Sequence, residues 1–267
     1  MTHPDPVTIS RRVEEASLNA WPAMQQIHLD GWLLRFARGF TKRANSIIPL
    51  YPSVQPIPHK VAYCENLYAR ERLKTIFRLT SIDPAKALDD YLAGRGYEYQ
   101  DPTLVLSAPL TNQSLPKLSS RRFDLVSKDD WLTLYTQLTR MPEHARALHG
   151  AILNGIQNTC AYAVLMEGEI PLACGLGVLE QELLGLFDVV THVDHRQSGL
   201  ATDLVASLLN WASRKGARTG YLQVVADNQP GRALYEKLGF KELYRYWYRI
   251  GPTDGAHSTK LDSRLHF

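Results

Sequence analysis

The chain has 267 residues, is 45% hydrophobic and 21% charged, and carries a formal net charge of +3 with a pI near 8.7. That composition suits a globular protein of one large or two modest domains, and its mild positive charge suits an anionic ligand. It argues against a nucleic-acid binder, because Arg11–Arg12, Lys42–Arg43 and Arg121–Arg122 are scattered pairs that read as solvated surface, and against a membrane span, because no apolar run approaches roughly 18–20 residues.

The first residues, MTHPDPVTISRRVEE, carry no apolar h-region, so no secretory signal is expected. Residues 31–36 (GWLLRF) and 44–50 (ANSIIPL) read as strands around a turn at Gly39, Phe40 and Thr41, which makes a hairpin. Residues 61–74 have helical spacing, 75–79 suit a strand, 85–93 a short helix stopped by Gly94, and 102–110 a strand. Residues 111–120 (TNQSLPKLSS) are polar and aperiodic and read as a linker. Beyond it, helices are expected at 129–138 and 142–154, the first with Lys128, Asp129 and Asp130 supplying its capping and first-turn charge, the second with Pro142 in its first turn. Strands follow at 161–167, 171–179 and 183–191. An amphipathic helix at 199–215 carries Leu200, Leu204, Val205, Leu208, Trp211 and Ala212 on one face and stops at Gly216. A strand at 220–226, a helix at 230–238 and an aromatic strand at 241–250 complete the order, which is an α/β or α+β arrangement.

Cys64, Cys160 and Cys174 are odd in number and lack CxxC spacing. No disulfide framework and no metal site are expected, and a reducing, cytoplasmic setting is.

The strongest local chemistry is an apolar strand, LGLFDVV, followed by THVDHRQSGLA and the amphipathic helix. A helix N-terminus offers unpaired N–H donors and partial positive charge, which match a phosphate. Gly199 permits close backbone approach, Ala201 is small, and Arg196 adds a full charge. By itself this is equally a helix that starts after a turn. Further on, Asn228 follows the strand at 220–226 and precedes the helix that carries Tyr235. The Asn228 amide suits a ligand amide or a helix cap; Tyr235 suits a proton donor or a half-buried core residue.

Strand, Arg-x-x-Gly-x-Ala loop, long helix, strand, Asn228, then Ala-Leu-Tyr-x-x-x-Gly-Phe (Ala233 to Phe240): this order resembles the GNAT superfamily of N-acetyltransferases, closely over residues 183–248 and more faintly over 125–171. The resemblance implies acetyl-CoA as co-substrate and a primary amine of a small molecule, amino acid or peptide as acceptor. It implies that Thr191, His192 and Val193 hold the pantetheine arm, that the loop Arg196, Gln197, Ser198, Gly199, Leu200, Ala201 and Thr202 wraps the pyrophosphate, and that Asn228 and Tyr235 complete the cofactor contacts. Ala201 stands where glycine is commoner, and Ser198 where a basic residue or glycine is frequent.

The implied reaction is direct attack in a ternary complex, with the oxyanion held by a backbone N–H and Tyr235 as general acid. Some relatives place a glutamate base on the strand before the Asn motif, but the matching position is Gln223. Asp188, a carboxylate in an apolar strand, is the next candidate, since such a group is costly unless paired or functional. His192 and His195 read as loop histidines, and relay through water is open.

Residues 32–46 resemble the first domain of two-domain GNAT proteins, and nothing before the linker repeats the phosphate loop. The expected domains are a degenerate, non-catalytic GNAT-like domain at 1–112, a linker at 113–120, a catalytic domain at 121–251 and a polar tail at 252–267. Each domain is expected to be a mixed sheet flanked by helices, in a monomer or homodimer. Arg43, Asn45 and Ser46 suit either an acceptor pocket or a turn held by Asn and Ser hydrogen bonds. The competing functions are a non-catalytic acyl-CoA sensor and an enzyme acting on protein N-termini or lysines.

Overall fold

The computed structural model describes residues 6–82, 85–111 and 115–252. Part of the expected linker and nearly all of the expected tail lie outside these residues. In chain order the elements are α1 (Pro6–Ala20), β1 (Gln25–Leu29), β2 (Trp32–Phe36), β3 (Ile47–Pro49), α2 (Ile57–Arg70), β4 (Ile76–Thr80), α3 (Lys86–Gly94) and β5 (Glu98–Pro109). Then come β6 (Arg122–Leu125), α4 (Lys128–Thr139), α5 (Glu143–Gly155), β7 (Thr159–Glu167), β8 (Ile170–Glu180), β9 (Leu183–Thr191), α6 (Leu200–Arg214), β10 (Thr219–Val225), α7 (Gln229–Lys237) and β11 (Lys241–Ile250).

The chain forms two compact units, and they do not divide at the expected linker. One holds Leu104–Leu243 together with α1; the other holds Trp21–Thr103 together with the strand from Tyr244 onward. The reason lies in strand pairing. β11 pairs antiparallel with β4, from Tyr246↔Thr80 to Ile250↔Ile76, so the last strand of the sequence belongs with the early residues. Arg249 then binds Asp89 of α3, and that guanidinium holds the Asp89 carboxyl below its usual range.

In the Trp21–Thr103 unit the strands run β1-β2-β3-β4-β11. The expected hairpin is present as β2 and β3, paired from Trp32↔Pro49. Their connection is tied by Asn45, whose Oδ1 accepts from the N–H groups of Ala37 and Gly39 at 2.7 and 2.9 Å. Its Nδ2 donates to the carbonyls of Phe40 and Thr41 at 2.7 and 2.8 Å. Asn45 is therefore spent on the turn. Replacing it with alanine strands buried backbone groups, and Asn45→Ala is expected to cost about 3 kcal/mol of unfolding free energy, measured by chemical denaturation.

In the Leu104–Leu243 unit the order is β5-β10-β9-β8-β7-β6. α6 sets its spacing. Leu204, Val205, Leu208, Leu209 and Ala212 are buried along one face, each large aliphatic side chain contributing about 1.5–3 kcal/mol by leaving water. The helix comes close because β8 presents glycines beneath it: a Cβ added at Gly175 would meet Leu204 at 3.1 Å, and one at Gly177 would meet Leu208 at 3.1 Å. The helix ends where Gly216 turns left-handed (φ 98). On α4, Ser127 is the N-cap, accepting from the Asp130 N–H, and Trp131 is fully buried with its indole N–H shared between the carbonyls of Ala163 and Gly175. Pro142, expected inside α5, stands at its N-cap instead.

Candidate active site

β9 and β10 run parallel, and their ladder extends from Leu183↔Thr219 to Leu186↔Leu222. β9 continues to Thr191 and β10 to Val225, but the register stops, so the strands part and the β9 edge turned toward β10 becomes available to a ligand. The other edge of β9 remains on β8 and carries a bulge. Leu176 faces Phe187 and Cys174 faces Val190, so Asp188 and Val189 stand against Gly175 alone. Asp188 takes the extra residue in a left-handed conformation (φ 51), which a non-glycine adopts only at a cost.

The chain leaves β9 through a single 3-10 turn, Val193–His195, whose N-cap His192 accepts from the Asp194 N–H at 3.3 Å. Arg196 is extended, Gln197 is left-handed (φ 62), and Gly199 is left-handed (φ 82) at the N-cap of α6. No side chain caps that helix. The Gly199 carbonyl accepts from Asp203, so the N–H groups of Leu200, Ala201 and Thr202 have no partner within the helix. Uncapped amides and the positive end of a fifteen-residue helix fit a diphosphate. Arg196, Gln197, Ser198 and Gly199 are exposed there, with Ala201 and Thr202 half-buried.

Sequence reasoning missed a residue at this loop. Arg121 is exposed, as expected, but it is also engaged: its Nη1 pairs with Asp203 in the first turn of α6, and its Nη2 donates to the Ser198 carbonyl at 3.0 Å. The ion pair cancels a carboxylate that would repel a phosphate. The partners lie far apart in sequence, so no local pattern carries the contact. Asn210 supports the approach, its amide donating to the Pro116 carbonyl at 3.0 Å.

α7 begins at Asn228, whose Oδ1 accepts from the Gly231 N–H at 3.0 Å, so its carbonyl end caps the helix and its amide N–H donors are left for other partners. Tyr235 is half-buried, packs against the core around α6, and meets Phe240 edge to face at 6.0 Å. Burial pushes its phenol up to about 12, which keeps the proton in place at neutral pH. No hydrogen bond joins Tyr235 to Asp188 among the described residues. Asp188 instead meets α5, where His149 Nε2 lies 2.9 Å from its Oδ2, each side chain 1% exposed. Among the described residues no cluster of His, Cys, Asp and Glu suits a metal ion, and no helix is long and apolar enough to cross a membrane.

Comparison with known proteins bears on the same frame. The chain is 27% identical over 244 residues to the Bacillus subtilis "Uncharacterized N-acetyltransferase YobR", covering 90% of this chain and 98% of that protein. A "GCN5-related N-acetyltransferase from Kribbella flavida" superposes with a TM-score of 0.71 at 14% identity, over 92% of this chain and 96% of that one. A "Tandem GNAT protein from the clavulanic acid biosynthesis pathway" superposes at 0.53 with 17% identity, over 71% and 70%. Parted parallel strands, a bulge at the parting and an uncapped helix after it define an acyl-CoA-dependent N-acyltransferase of the GNAT superfamily. Within it, the chain belongs to the family described as "Probable histone acetyltransferase Rv0428c C-terminal", whose model matches residues 8–249. The expected mixed α/β architecture and the acyltransferase class both hold, and the family implies acetyl-CoA as the donor.

Proposed function

We propose that this protein transfers the acetyl group of acetyl-CoA to a primary amine of a small molecule, amino acid or peptide by direct attack in a ternary complex. The observation that carries the reading is the succession of β9, which parts from β10, and α6, whose first amides are uncapped. A thioester and a diphosphate joined by an extended arm need these two features at that spacing. Thr191 and Val193 hold the pantetheine arm by their backbone, while His192 between them spends its own N–H on the Leu172 carbonyl and its carbonyl on the His195 N–H. The amides from Gln197 to Thr202 hold the pyrophosphate with Arg196 beside them, and Asn228 offers its amide N–H to the arm.

The amine nitrogen attacks the thioester carbonyl, forming the C–N bond, and a backbone N–H of the parted β9 edge stabilises the oxyanion. The C–S bond breaks, and the thiolate takes a proton from Tyr235. The nitrogen gives up two protons on the way from ammonium to amide: one restores Tyr235, the other leaves through Asp188. The early unit, with no second phosphate loop, serves as a non-catalytic GNAT-like partner, and the work is cytoplasmic.

The experiment is thiol release from acetyl-CoA across free amino acids, polyamines and peptides with free N-termini or lysines. Turnover on the small amines supports the reading. Turnover on the peptides alone keeps the reading at its peptide acceptor and points on to protein acetylation, which the description of the family motivates. Binding of acetyl-CoA with no turnover on any acceptor makes the protein a sensor. Arg121→Ala, which exposes the Asp203 carboxylate beside the phosphate amides, is expected to weaken CoA binding about tenfold by calorimetry, the worth of one charge-assisted contact. The further change Asp203→Asn should recover part of that loss.

A further inference from the structure

We infer that His149 is a positioning residue that aims Asp188 Oδ1 at the acceptor, so that the acceptor is recognised as a cationic primary ammonium and deprotonated there. The inference rests on the acetyl-transfer reading and deepens it. With its hydrogen on Nε2, His149 donates to Oδ2 at 2.9 Å. That bond takes one oxygen and fixes the plane of the carboxylate. The other oxygen, Oδ1, is buried and has no hydrogen-bond partner among the described residues. A buried carboxylate oxygen without a donor is costly, and a pair kept for stability alone would have both oxygens filled.

The location gives the orphaned oxygen a use. Asp188 is the bulged residue, two positions beyond Leu186, the last β9 residue paired with β10. Its strained conformation turns the side chain to α5 at the point where the strands part. His149 is held from α4: the Tyr135 ring meets it edge-on at 5.0 Å and the Trp131 ring at 6.0 Å. Trp131 is itself pinned by two strand carbonyls. The ring is thus fixed before any substrate arrives. An ammonium supplies the donor that Oδ1 lacks. The N–H bond breaks, its electron pair stays on nitrogen for the attack, and the proton passes to Oδ1 and then to solvent when the amide leaves.

The test compares two nucleophiles in thiol release from acetyl-CoA: the fastest primary amine of the panel above, which arrives protonated, and hydroxylamine, which is largely unprotonated at neutral pH and needs no base to free its electron pair. His149→Leu removes the donor to Asp188, and His149→Gln keeps an N–H of similar reach. CoA affinity, read by calorimetry, reports whether each variant is folded. With the primary amine, His149→Leu is expected to lose about a hundredfold in kcat/KM, the scale set by misplacing a reacting group, and Asp188→Asn at least as much. With hydroxylamine each loss should be at least about tenfold smaller, and His149→Gln should recover most of the primary-amine rate. Equal losses on the two nucleophiles, or no loss on either, would overturn the positioning role. Absence of thiol release from wild type with both nucleophiles is a different result and sinks the acetyl-transfer reading itself.

Discussion

Tyr235→Phe is expected to lower kcat about a hundredfold or more while leaving CoA affinity within about threefold, because general-acid catalysis contributes on that scale and the aromatic ring remains. The variant is a clean probe. The Tyr235 hydroxyl makes no hydrogen bond to the described residues, so its removal leaves no partner stranded, and the ring keeps its contact with Phe240. Stability at neutral pH should therefore stay within about 0.5 kcal/mol of wild type. The alkaline range gives a second readout. Burial raises the phenol from its ordinary value near 10 to about 12. The folded protein holds this proton more tightly than the unfolded chain does. The resulting stabilisation is complete below pH 10 and is lost as pH rises through about 12, and Tyr235→Phe should remove this part of the alkaline loss. An unchanged kcat in Tyr235→Phe would leave the departing thiolate to be protonated by water.

How far the sequence exposes this site follows from the range of each interaction. The helix at 199–215, its glycine start and the strand before it are local features, carried by apolar spacing and one flexible residue, and α6 matches them within a residue or two. Asp188 stands out for the same reason, as a lone charge in an apolar strand. The elements that escape notice are those whose local signal is faint. α1 buries the polar Ser10, Glu14 and Ser17 among its apolar Val13, Ala16 and Leu18, which blurs the apolar spacing. β1 (QQIHL) is largely exposed, and β6 is four residues long. Pairings distant in sequence escape for a different reason: nothing in KELYRYWYRI names β4 as its partner, and nothing near Arg121 names Asp203. The His149–Asp188 bond belongs with these, joining a helix to a bulge whose existence depends on the register of β8 against β9.

Gly199→Glu is expected to weaken CoA binding at least a hundredfold with little change in melting temperature, and the combination is what makes it informative. A Cβ at this position meets no steric obstacle: the nearest atom is Arg121 Nη1 at 3.9 Å. The left-handed backbone (φ 82) costs a non-glycine residue about 1 kcal/mol, and the new carboxylate can offset part of that by reaching Arg121 and the α6 amides. The folded state thus tolerates the change. The ligand does not, because the same carboxylate occupies the donors the diphosphate requires and repels its charge; a hundredfold loss corresponds to about 2.7 kcal/mol. Gly199→Ala separates the terms. It carries the backbone strain without the charge, so it should lower the melting temperature as much as or more than the glutamate variant does while weakening CoA binding only about fivefold, a difference of roughly 1 kcal/mol. If calorimetry gave the two variants the same CoA affinity, the uncapped amides of α6 would not be the phosphate site, and the diphosphate would have to be sought elsewhere along the parted strands.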